Sequence, residues 1–71
     1  MARRKLDFVR GVRGKVIDRI VIDNDEYIEV DVRFKDGTSL GIAIETAGMI
    51  VRRVDLLGWK KGNSFVIKEL L

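Results

Sequence analysis

The stretch from Ile28 to Ile44 constrains the fold most, because it alternates apolar and polar residues on both sides of Asp36-Gly37. Two alternating runs joined at Asp-Gly read as a β-hairpin. On the first arm Ile28, Val30, Val32 and Phe34 share a face, and on the second Thr38, Leu40, Ile42 and Ile44 do. A two-residue loop at Asp36-Gly37 would pair Lys35 with Thr38 and turn the two apolar rows to opposite sides, which a half-buried sheet does not tolerate. A three-residue loop, Lys35-Asp36-Gly37, pairs Val32 with Leu40, Val30 with Ile42 and Ile28 with Ile44, and unites the rows. The spacing therefore predicts a type I turn followed by a bulge, with Gly37 at positive φ.

The flanking segments extend this pattern. Lys15 to Ile22 is dense in β-branched residues, but its alternation breaks in the middle. A bulge near Asp18-Arg19 restores it and brings Ile17 into the core, on the side of Ile20 and Ile22. Asp23-Asn24-Asp25-Glu26 is the next turn. Met49 to Leu57 reads as a strand offering Ile50, Val54 and Leu56 to one face, with a short helix over about residues 47–57 as the alternative. Gly58 to Asn63 reads as a loop, and Ser64 to Leu70 as a last strand with Phe65 and Ile67 opposite Val66, Lys68 and Leu70. Five short strands with tight turns predict an all-β fold, a small five-stranded antiparallel barrel of SH3-like or OB-like meander type. Residues 1–7 are expected as a basic flexible arm and 8–71 as the single domain.

Arg13 to Asp18, Phe34 to Leu40 and Lys61 to Lys68 together resemble the strand-start, hairpin and closing-strand pattern of the OB-fold proteins of translation. The resemblance is confined to these stretches. That family's exposed stacking aromatics have no match on the central strands, where the outward residues are acidic or small, so the resemblance does not amount to membership.

Several chemistries are ruled against by composition. A chain of 71 residues without cysteine or histidine has no disulfide, no thiolate or imidazole metal ligand and no neutral-pH general base of the commonest kind. Ser39, Ser64, Thr38 and Thr46 therefore lack an activating histidine, and no glycine pattern matches a phosphate loop. The acidic turn lacks the ligand spacing of an EF-hand. We expect no enzyme, cofactor or metal site. No apolar run approaches the ~20 residues of a membrane span, and Met1 to Lys5 leads into no signal-peptide core. The expectation is a cytoplasmic protein.

Charge is the strongest functional clue. The net charge is +3, yet the distribution is polar: Arg3, Arg4, Lys5, Arg10, Arg13 and Lys15 crowd the first fifteen residues beside Asp7 alone. Asp23, Asp25, Glu26, Glu29 and Asp31 follow with no base among them. The basic cluster suits phosphate contacts, which release counterions and give salt-sensitive affinity. Arg52, Arg53 and the Trp59-Lys60-Lys61 loop would extend that surface, with the indole as a base-stacking platform or, more simply, a lid on the core. The sequence thus points to a nucleic-acid-binding module working mainly through phosphates. The alternative is a protein-interaction or self-assembling module, a homo-oligomer or one with an acidic partner, in which the basic (1–15) and acidic (23–31) patches meet.

Overall fold

In a computed structural model, which describes residues 11–25, 27–48 and 50–71, the chain forms one five-stranded antiparallel sheet in the order β1-β2-β3-β4-β5. The strands are β1 (Ile17–Asn24), β2 (Tyr27–Phe34), β3 (Thr38–Glu45), β4 (Ile50–Lys60) and β5 (Asn63–Glu69). No helix occurs among the described residues, so the helical alternative for 47–57 is set aside. None is therefore long and apolar enough to cross a membrane.

The central hairpin has the register its side chains require. Val32 faces Leu40, Val30 faces Ile42 and Ile28 faces Ile44. The loop is Lys35-Asp36-Gly37, closed by the Gly37 N–H donating to the Phe34 carbonyl at 3.2 Å, with Gly37 at φ 88°. Asp36 fastens it: its Oδ1 accepts from the Thr38 N–H at 2.9 Å and from the Thr38 hydroxyl at 2.6 Å. Lys15 reaches in from the chain before β1 to pair with Asp36 and to donate to Thr38 Oγ1 at 2.9 Å. The expected bulge in β1 is also present, as a register shift between Ile17 and Arg19 that sets Ile17 opposite Phe34 and Ile20 opposite Val32.

Two further register shifts change the reading of the C-terminal half. One, between Ala43 and Ile44, puts Val51 rather than Ile50 on the apolar side, and Ile50 faces Glu45. The other, between Leu56 and Leu57, sets Lys68 opposite Leu56 and Val66 opposite Leu57, so Lys68 shares the side of Phe65. Both departures have one cause: an inserted residue reverses the parity of everything beyond it. The expected loop from Gly58 to Asn63 shrinks to Lys61-Gly62, because β4 runs on through Gly58, Trp59 and Lys60. Lys61 and Gly62 both take positive φ, 53° and 82°, as a two-residue primed hairpin turn demands. Gly58 survives inside the strand because Phe65 covers it; a Cβ there would meet the Phe65 ring at 2.4 Å.

The strands do not close into a barrel. β1 and β5 are both edges of the sheet, and each has one neighbour. Phe34, Val54 and Leu56 are the buried apolar side chains among the described residues. Ile17, expected in the core, is 53% exposed on the edge strand. Closure depends on a long-range pairing of first and last strands that no local alternation encodes.

Candidate functional site

An antiparallel meander sends alternate connections to opposite ends of the sheet. One end collects residues 11–16, the Lys35-Asp36-Gly37 loop and the Lys61-Gly62 turn; the other collects Asn24, Asp25, Tyr27, residues 45–48, Ile50 and the C-terminus. This sorting is also a sorting of charge. Arg13, Lys15, Arg19, Arg33, Lys35, Lys60 and Lys61 belong to the first end, against Asp18 and Asp36. The second end holds Asp23, Asp25, Glu29 and Glu45, with Arg52 and Arg53, while Glu69 and Lys68 lie beside Asp55 and Leu56 in the middle of β4.

The polar face of the β1–β2 ladder carries the same gradient. Arg19 stands opposite Arg33, Val21 opposite Asp31, and Asp23 opposite Glu29. Like charges directly across a ladder destabilise a sheet. Two such pairs, one of each sign, build a field along the strands at some cost to the fold.

Arg33 is held in a defined place. Its guanidinium lies 4.6 Å from the centroid of the Trp59 ring, and the indole Nε1–H donates to Ser39 Oγ at 2.9 Å. Ser39, opposite Arg33 in the β2–β3 ladder, is fully buried beneath. Arg33 Nε is buried with no hydrogen-bond partner among the described residues. Trp59 is half-buried on the sheet, not on a flexible loop. Arg33 stacks on its ring, so the indole serves to carry a cation more than to receive a base.

The sequence-derived candidates divide accordingly. Arg13, Lys15, Lys60 and Lys61 meet at the basic end, and Lys15 is tied to Asp36 and lies 5.6 Å from the centroid of the Phe34 ring. That pairing, the largest influence, together with the Thr38 hydrogen bonds lowers the Asp36 pKa to about 2. Arg52 and Arg53 do not join them. The bulge opposite Ala43 leaves both exposed, but Arg52 pairs with Glu45 at 3.0 Å and Arg53 with the buried Asp55 at 3.2 Å. Arg3, Arg4, Lys5 and Arg10, with the arm 1–7, lie outside the described residues. Arg19, Arg33 and Lys35 were missed by sequence reasoning, which weighed runs of charge. The signal available was the hairpin register, which sets these three beside the loop.

On the polar face an open cleft of about 220 Å³ is lined by Asp31, Gly41, Arg53, Asp55 and Leu57 among others. It falls below the about 300 Å³ at which small-molecule sites begin. No group of three or more carboxylates among the described residues is placed to hold a metal ion. No protein-family model, curated protein or solved structure matches the chain.

Proposed function

We propose that this chain is a non-catalytic module that binds nucleic acid mainly through its phosphates, at the end of the sheet bearing the Lys35–Gly37 and Lys61-Gly62 turns. The observation that carries the reading is the convergence there of seven bases from three separate stretches of sequence, against two acids. Cations gathered from distant positions give an electrostatic footprint, and phosphate neutralisation by Lys and Arg supplies sequence-independent affinity. Arg33, fixed on Trp59, adds a guanidinium already ordered for bidentate contact with a phosphate. Arg52 and Arg53, already paired with acids, stay out of the interface. So does the acidic end, which repels a polyanion and orients the module on it.

Titration of labelled single-stranded and duplex oligonucleotides across a range of salt tests the reading. Six neutralised phosphates give a log–log slope of about −5 on duplex DNA and about −4 on single strands. Affinity that is absent at low salt, or that does not respond to salt, overturns it.

A further inference from the structure

β1 has β2 on one side, and among the described residues no strand pairs with its other side. Such an edge leaves a row of backbone N–H and C=O groups open to another chain, and proteins ordinarily blunt it with a bulge or with charge. The extra residue of β1 is Asp18, at its start, so Arg19 to Asn24 forms a regular ladder with β2. β5, the opposite edge, carries its extra residue Ile67 in mid-strand, which interrupts a continuous ladder there. On β1, Ile20 and Ile22 are 57% and 63% exposed although each stands opposite a valine of β2. The regular, open edge is therefore that of β1.

We infer that β1 pairs edge to edge with the β1 of a second copy, antiparallel, about a two-fold axis that passes beside Val21 normal to the sheet. The run Arg19-Ile20-Val21-Ile22-Asp23 is complementary to itself under that operation. Arg19 stands opposite the partner's Asp23, Ile20 opposite the partner's Ile22 and Val21 opposite the partner's Val21. A slip of one residue turns the apolar face of one copy to the polar side of the other. A slip of two in either direction sets Val21 opposite a charge. The pairing also answers a cost within the single chain, where Arg19 faces Arg33 and Asp23 faces Glu29 across the β1–β2 ladder. Each of these two charges gains an opposite one on its free side, and opposed charges select register and partner. The interface is isologous, and two five-stranded sheets become one of ten strands with the basic ends at opposite ends. No face is covered, so Phe34, Val54 and Leu56 stay packed within each chain. The pairing needs no nucleic acid, and Arg19 is the one base in the paired run.

Sedimentation and light scattering on the full chain, from dilute to concentrated and at low and high salt, test the pairing. The expected behaviour is a monomer–dimer equilibrium that weakens as salt screens the Arg19–Asp23 contacts. Arg19→Asp should weaken association by about tenfold or more, since like charges then meet twice in the interface, and Asp23→Arg should do the same. Within one chain each substitution replaces a like-charge pair by an opposite one, against Arg33 or Glu29. Both variants should therefore fold and melt no lower than the wild-type monomer, which circular dichroism checks. Mixed in equal amounts, the two variants should associate with each other, because each supplies the charge that the other lacks. A chain monomeric at every concentration in low salt overturns the proposal. So does a dimer that neither reversal weakens, and so does a mixture of the two folded variants that fails to associate.

Discussion

Arg33 lays its guanidinium on the ring of Trp59, 4.6 Å from the centroid, while the indole nitrogen binds the buried hydroxyl of Ser39. Three strands meet in this arrangement, since Arg33 lies on β2, Ser39 on β3 and Trp59 on β4. It ties the polar face together at the basic end. Trp59→Phe keeps an aromatic surface for Arg33 but strands the Ser39 hydroxyl, and should cost about 1–3 kcal/mol. Adding Ser39→Ala removes the orphaned group and should recover part of that loss. Urea unfolding of the two single variants and the double variant measures the coupling.

Gly37 holds the central hairpin in register at φ 88° with open space where a Cβ would project. A substitution there is penalised by backbone conformation and not by crowding. Gly37→Ala should destabilise by about 1–3 kcal/mol. Gly37→Asn should cost clearly less, because asparagine tolerates the left-handed region. Thermal or urea unfolding ranks the two.

The loop that Gly37 completes was legible in the sequence, and the sheet's boundary was not. Alternation on either side of Asp36-Gly37 leaves one loop length that puts Val32 and Leu40 on a common face, so the register follows from residues close in sequence. The β1 bulge was legible for the same reason: without it Asp18 would take the place of Ile17. The inserted residues, Arg52 opposite Ala43/Ile44 and Ile67 opposite Leu56/Leu57, could not be read, because Arg52-Arg53 and Phe65-Val66-Ile67 are runs of like residues that offer no alternation to break. Barrel closure was assumed by analogy and has no local signal. In the candidate site, Lys60 and Lys61 were visible as a charge run. Arg19 and Arg33 become neighbours through pairing across the ladder.

Asp36 gives the basic end a signature in acid. Its carboxylate is stabilised by Lys15 and Thr38, which lowers its pKa from 3.8 to about 2. A depressed folded-state pKa means a stabilising contribution that is complete above the unfolded value and lost as pH falls through the folded one. The difference in stability between the wild type and Asp36→Asn should therefore be constant near neutrality and shrink as pH drops from about 4 towards about 2. Denaturant unfolding at a series of pH values follows it, and a difference that widens in acid would contradict the assignment.

Lys61 occupies a position better suited to asparagine. It sits at φ 53° in a two-residue turn, where a non-glycine side chain is strained. Lys61→Asn should stabilise the fold by about 1 kcal/mol, while weakening nucleic-acid binding and reducing the salt slope by about 1. Stability and binding moving in opposite directions would mark Lys61 as a residue whose charge serves the interface. Thermal melting and oligonucleotide titration of the same preparation provide both readings.

The most direct test of the account compares two neutralised pairs of cations in one binding assay. Lys60→Gln with Lys61→Gln removes two charges from the end where the basic residues converge. Arg52→Gln with Arg53→Gln removes two that are already paired with Glu45 and Asp55. Oligonucleotide affinity measured across salt should fall for the first pair, with a slope shallower by about 2, and should stay near the wild-type value for the second. Equal losses from both pairs, or a loss confined to the Arg52 and Arg53 variant, would contradict the placement of the interface.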